Sequence, residues 1–388
     1  MNLIAYYEGD PGVEGWLSGL LPPAHKIEMR KIPQSNNSDA FVRLPSYVRD
    51  ILYLDKPDLI LSACVDGIHE RPLLSLDFAM CTPQYQHALQ RFSRMVASVT
   101  NGCPSAIVFP MNKAENSGSG TTYHRSQALE FGAVRLMDIY RTPAVIFDWP
   151  DSSGVLETDP TFSGYPPLSS PQMGLLKQFI LEAISSFSSS DYLGALNRSD
   201  VVVDATHRMR ARAYSGSYPT IAAPGGGATG KTSQSKLTLK PTTDVLDEVS
   251  HLSKRHHAML KDLPPFIRNR EKSLAFYPTR IVKHAGDPYV GMLAYYDIAF
   301  CRLGTHTRDR KYNLVADCRT VPMSELEDSL NQFNKNICPF RESAFNDPGF
   351  YSYHLKNGCR EVKAKPLRIY GELVDFMIFG DGCLYSVG

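Results

Sequence analysis

No uninterrupted apolar run in this chain of 388 residues approaches the roughly 18 residues that a membrane-spanning helix needs. Close-set cysteine pairs are missing as well. The eight cysteines (Cys64, Cys81, Cys103, Cys301, Cys318, Cys338, Cys359 and Cys383) are scattered, with no C-x-x-C among them. Zinc sites usually bring ligands in near pairs, and secreted disulfide scaffolds are smaller and denser in cysteine. The spacing therefore predicts reduced, mostly buried thiols. A charge of one sign is also lacking. With 41 Lys and Arg against 40 Asp and Glu the net charge is +1, so any basic surface must be local. The opening "MNLIAYYEGDPG" puts acidic residues and Gly-Pro where a signal peptide keeps its apolar stretch. The expectation is a soluble, cytoplasmic protein with no membrane partner.

What is present is a substantial core, since 43% of the residues are hydrophobic. Residues 1–150 read as an α/β unit. Strand patterns at 2–8, 25–32, 57–65, 71–80, 104–110 and 143–150 are interleaved with helical patterns at 47–56, 83–102 and 124–141. This order predicts a mixed β-sheet flanked by helices. Residues 151–243 read as a linker-like region containing a helix near 171–188 and two Gly/Ser-rich stretches. Residues 244–388 begin with a helix and continue as an additional α+β domain, with strand-like runs in "SLAFYP", "GMLAYYDIAFCR" and "YNLVADCR".

Residues 225–232, "GGGATGKT", spell G-x-x-x-x-G-K-[ST], the loop that wraps nucleotide phosphates. That loop works when a strand leads into it and a helix leaves it, so that backbone N–H groups aim at the phosphates. Here the preceding "SYPTIAAP" is weakly β, and "SQSKLTLKPTTD" alternates like an extended segment until Pro241. The expectation is a polar loop, with Lys231 as a nucleic-acid contact rather than the lysine of a nucleotide hydrolase.

The stretch "KPDLILSACVDGIHERPLLSLDFAM" carries a different signal. Asp58 opens one strand and Asp77 lies in the next. Carboxylates on neighbouring strands can converge on one divalent cation, and hard oxygen ligands suit Mg2+, with Mn2+ as a substitute. An acid flanked by "LSL" and "FAM" is costly to bury without a partner or a cation. The helix that follows, "PQYQHALQRFSRMVASVTNG", has an apolar stripe of Leu89, Phe92, Val96 and Val99. At about 100° per residue, Gln86, Gln90, Arg91 and Arg94 share the opposite face.

Over residues 47–110, extending toward 150, this arrangement resembles the PD-(D/E)xK nuclease superfamily, the fold of many restriction endonucleases. The resemblance implies that Asp58 and Asp77 bind metal, and that a lysine two residues after the second acid positions the attacking water. This chain departs from the pattern, because that position is Ala79. Either the polar role has moved elsewhere or the site is dead. The first option makes Gln86, Gln90 and Arg91 the groups that orient water or phosphate. The family also implies a homodimer or larger complex, DNA more than RNA as partner, and a role in defence.

Further candidates surround this pair. Glu14, opening "EGWLSGLL", is a third metal ligand if the N-terminal helix reaches the site; Glu8 ends the first strand; Lys113 is a donor for the missing ammonium. Arg208, Arg210 and Arg212 recur at period two in "THRMRARAYSG", which on an extended segment puts them on one face as phosphate contacts, together with Arg94 on its helix. His256 and His257 are adjacent and so point apart on a helix, against a shared metal. Two functions follow: a metal-dependent nuclease, or a non-catalytic nucleic-acid- or nucleotide-binding protein on a degenerate nuclease fold.

Overall fold

The computed structural model describes residues 2–33, 40, 43–64, 69–81, 83, 85–114, 120–215, 237–261, 263–276, 289–306, 308–319, 352–355, 358–361, 373–380 and 382–385. The chain divides into two compact units, residues 1–33 with 44–218, and residues 34–43 with 219–388. The boundary thus falls at 218/219, and the helices between 171 and 213 belong to the first unit. They do not form an intermediate region.

In the first unit the strands are β1 (Asn2–Tyr7), β2 (Lys26–Lys31), β3 (Leu59–Cys64), β4 (Glu70–Phe78), β5 (Ser105–Pro110) and β8 (Ala144–Trp149). Two short hairpins complete the set, β6 (Asn112–Ala114) with β7 (Thr122–His124), and β9 (Asp151–Ser152) with β10 (Val155–Leu156). The main sheet runs in the order β2-β1-β3-β4-β5-β8. β1 is parallel to β2 and antiparallel to β3, β3 is antiparallel to β4, and β4, β5 and β8 are mutually parallel. A mixed sheet flanked by helices is therefore what the sequence pattern builds.

Burial explains the strand patterns. The apolar run of β3 is buried from Leu59 to Ala63, as expected for a central strand covered on both faces. β2 alternates and lies at the sheet edge. Pro72 sits where the β3/β4 register shifts, before β4 begins to pair with β5 at Ser75, so its missing N–H interrupts no ladder.

The helices of this unit are α1 (Gly12–Leu20), α2 (Ser46–Leu54), α3 (Tyr85–Gln90), α4 (Phe92–Val99), α5 (Gln127–Tyr140), α6 (Pro171–Ser186), α7 (Tyr192–Asn197) and α8 (Asp200–Ala213). Ser126 caps α5 by accepting the Ala128 N–H, and Arg141 closes it with φ of 56°. Ser170 caps α6 ahead of Pro171, whose absent N–H costs nothing in the first turn. The single helix expected over 83–102 is two, interrupted at Arg91, while its stripe of Leu89, Phe92, Val96 and Val99 is buried as expected. Residues 151–170 are ordered against the unit. Asp159 accepts the N–H groups of Thr161, Phe162 and Leu168, and the Trp16 indole donates to the Pro166 carbonyl at 2.8 Å.

The second unit holds β11 (Leu237–Pro241), β12 (Lys272–Phe276), β13 (Tyr312–Cys318), β14 (Ser352–Leu355), β15 (Gly358–Glu361), β16 (Phe376–Phe379) and β17 (Cys383–Tyr385). They form one sheet in the order β11-β12-β13-β16-β17-β14-β15. Its helices are α9 (Thr242–Ser250), α10 (Lys254–Leu260), α11 (Pro265–Arg268) and α12 (Tyr289–Tyr296). Val245, Val249, Ile267, Val315, Phe376 and Ile378 make its core. The run "GMLAYYDIAFCR" is helical, not strand-like: α12 passes into a π-helical turn at Asp297–Cys301. Met292, Leu293, Ala294, Tyr295, Tyr296 and Ile298 are all buried, so no face remains to show helical periodicity.

Candidate functional site

The β3/β4 register pairs Leu59 with Leu76. One step further along the antiparallel ladder sets Asp58 opposite Asp77. The Phe78 N–H donates to Asp58 Oδ2 at 2.8 Å, which fixes the orientation of the first carboxylate. Asp77 is 1% exposed and Asp58 is part exposed. The helix α4 is anchored above them, with the Ser93 hydroxyl donating to Asp55 at the end of α2.

Between the two acids stands Arg94. Its Nη1 donates to Asp58 Oδ1 at 2.6 Å and to Asp77 Oδ1 at 2.5 Å. Arg91 Nη1 lies further out, 3.8 Å from Asp77 Oδ1 and 4.0 Å from Asp58 Oδ1. Burial pushes the Asp77 carboxyl well above the usual carboxylate range and neighbouring Asp58 adds to this, while Arg94 and Arg91 pull it down. Burial disfavours the Arg94 charge, but Asp77 and Asp58 outweigh it and hold the guanidinium protonated more firmly than usual. Arg94 was expected on the outer, phosphate-contacting face of its helix. Instead it points inward to the acid pair, because the docking of α4 over β4 and β5 sets its rotation.

The other expected residues divide. Gln86 and Gln90 lie on α3, and their side chains fall outside the described residues. Glu14 is exposed in the first turn of α1, where the helix dipole favours an acid. Lys113 Nζ donates to the carbonyl of Met80, one residue beyond Ala79. Arg208, Arg210 and Arg212 are helical, on α8, so Arg210 points about 200° away from the other two, while Arg208 and Arg212, four apart, share a face. Arg210 pairs with Asp138 at 2.8 Å, and Arg212 contacts both Asp148 oxygens at 3.1 Å. Lys231 and the whole of 225–232 lie outside the described residues. His256 is buried, with Nε2 at 2.9 Å from the Phe379 carbonyl, while His257 is exposed.

A cleft of about 290 Å³ opens beside Asp58, walled by Tyr7, Glu8, Asp10, Phe78 and Tyr165. Asp10 and Tyr165 escaped sequence reasoning, since they follow a Gly turn and sit in a loop far along the chain. The available signal was Gly9, whose φ of 120° makes the Glu8–Asp10 turn a glycine-dependent one. Lys56 pairs with Glu8 at 2.5 Å on this wall.

Magnesium is commonly bound through one or two carboxylates, with water and substrate phosphate completing its shell. Asp58 and Asp77 supply two such oxygens at one point, and Asp58 faces the cleft. Among the described residues no three His, Cys, Asp or Glu side chains close into a ready-made cage. Arg94 holds the point that the two carboxylates share, and an ion there would draw the rest of its shell from water and phosphate. Among the described residues, no helix is long and apolar enough to cross a membrane, and the cysteines are free thiols.

No protein-family model, curated protein or solved structure matches the chain.

Proposed function

We propose that the first unit is a divalent-metal-dependent nuclease of the restriction-endonuclease-like class, hydrolysing phosphodiester bonds of DNA in a defence role. The observation that carries this reading is the convergence of Asp58 and Asp77 on a single point. The two acids come from neighbouring strands, and Asp58 also lines an open cleft. Bound Mg2+ or Mn2+ supplies Lewis-acid polarisation of phosphate and a more acidic water.

The chain's own groups supply the rest of the chemistry. Asp58 and Asp77 furnish the anionic oxygens. Arg91, near the pair but not closed onto it, is assigned to binding the scissile phosphate. Gln86 and Gln90 are assigned to orienting water. Lys113 stands at the segment that follows Ala79 and replaces the missing ammonium. The second unit is assigned to target recognition or assembly, and two copies of the chain provide one site per strand.

A second reading has its own observation. Arg94 already occupies the point between the two carboxylates, as a permanent cation does in a degenerate site that binds nucleic acid without cutting it. Labelled double-stranded DNA, single-stranded DNA and RNA, each with Mg2+, Mn2+ or EDTA, separate the two readings. The nuclease cuts double-stranded DNA with metal only, and Asp77→Ala abolishes cutting while retaining binding. Binding without cutting under every metal favours the second reading, and neither binding nor cutting removes both.

A further inference from the structure

Resting on the metal-site reading above, we infer that Arg94 is a displaceable resident cation. Its guanidinium and a divalent ion compete for the point between Asp58 and Asp77, so metal binding releases Arg94 toward the substrate phosphate.

The geometry leaves little room for both. A magnesium ion sits about 2.0–2.1 Å from its oxygens. Arg94 Nη1 lies at 2.6 Å from Asp58 Oδ1 and 2.5 Å from Asp77 Oδ1, on the oxygens a bridging ion would use. Neither oxygen can face the ion while the N–H groups fill the gap, and two positive charges at that separation repel strongly in a site where Asp77 is 1% exposed.

Only one wall of this site can give way. Asp77 is held within β4, and Asp58 is held by the Phe78 N–H. Arg94 is carried on a long flexible side chain that is 17% exposed. Arg91 already stands outside the pair at 3.8 Å and 4.0 Å. A guanidinium leaving the carboxylates would join it, making a two-arginine clamp for one phosphate. Arg94 thus has two places, between the acids before the ion arrives and on the phosphate after it. It keeps the acids together before the ion arrives, and the metal dependence of substrate binding passes through it.

The test is calorimetric titration of MnCl2 alone into the full chain. Arg94→Gln removes the competitor, and the affinity for Mn2+ should rise about ten- to a hundredfold, the range expected for losing charge-assisted hydrogen bonds. Asp77→Asn should abolish binding. If Asp77→Asn abolishes binding while Arg94→Gln binds equally or more weakly than the wild type, the competition is overturned and the metal site stands. If neither the wild type nor Arg94→Gln binds Mn2+, the metal site itself falls, and the competition with it. Should Arg94→Gln fail to fold, Arg94→Lys keeps a cation but loses the planar fork, and a severalfold gain is expected; no gain overturns the inference. An Arg94 side-chain NMR resonance, assigned by its absence in Arg94→Lys, should shift on adding Mg2+. A stationary resonance in a protein that binds the ion contradicts displacement.

Discussion

Among the described residues each unit holds an arginine between two aspartates, and the two instances differ in what surrounds them. In the second unit Arg310 is closed in. Its Nε donates to Asp297 at 2.7 Å and its Nη1 to Asp375 at 3.1 Å, with all three side chains 1% exposed. Arg302 and Arg270 complete the network, and Asp375 also accepts the Leu314 N–H. Here burial pushes the Asp297 carboxyl up, but Arg302 and Arg310 outweigh it and hold it below the usual range. The network ties the π-helical turn to β13 and to the residue before β16. Arg310→Met leaves two buried carboxylates short of a partner and should cost about 3–5 kcal/mol. Urea unfolding measures this, and a loss below about 1 kcal/mol would contradict a structural lock. Around Arg94 the same chemistry is left ajar, with Asp58 facing a cleft. That difference in exposure, rather than the ion pair itself, is what favours the proposed reading of the first site.

At the scale of elements, the sequence carried the strands and helices of the first sheet well, because each is long enough to show its period. Leu89, Phe92, Val96 and Val99 are one such stripe, and all four are buried. The convergence of Asp58 and Asp77 was legible too, since acids in successive apolar strands need a shared partner. The identity of that partner was not. Whether Arg94 faces solvent or strand depends on how α4 rotates when it docks, and a helical wheel does not contain that. α8 shows the opposite error. Arginines at period two suggested an extended segment, while Val201, Val202, Ala205, Met209 and Ala213 carried the true helical spacing and are buried.

α8 is tied to the sheet through Asp148 on β8, which accepts from Arg125 at 2.6 Å and from Arg212 at 3.1 Å. Burial pushes the Asp148 carboxyl up, but the two guanidiniums outweigh it and hold it below its usual value of 3.8. A lowered carboxyl stabilises the fold above its unfolded value and loses that contribution as pH falls through the lowered one. Asp148→Asn should therefore cost about 1–2 kcal/mol at pH 7, with the difference from wild type shrinking as pH falls below about 3.8 and vanishing below the lowered folded-state value. Melting curves across pH 2–7 check this, and a deficit that persists at the acid end would contradict the ion-pair account.

For the whole molecule, the division after residue 218 assigns every residue of the candidate site to the first unit. Asp58, Asp77, Arg91, Arg94 and Lys113 all lie within residues 44–218, and the second unit shares none of them. The proposed function requires Asp58 and Asp77 to act as one site. The most direct measurement is the metal-dependent cleavage rate of the full chain on double-stranded DNA for Asp58→Asn, Asp77→Asn and the double variant. Groups that act as a unit are strongly non-additive. Each single variant should fall by about 10²-fold or more, and the double should fall no further than the worse single. Losses that multiply, or cutting undiminished in either single variant, would show that the two aspartates do not share a cation, and the account would fail.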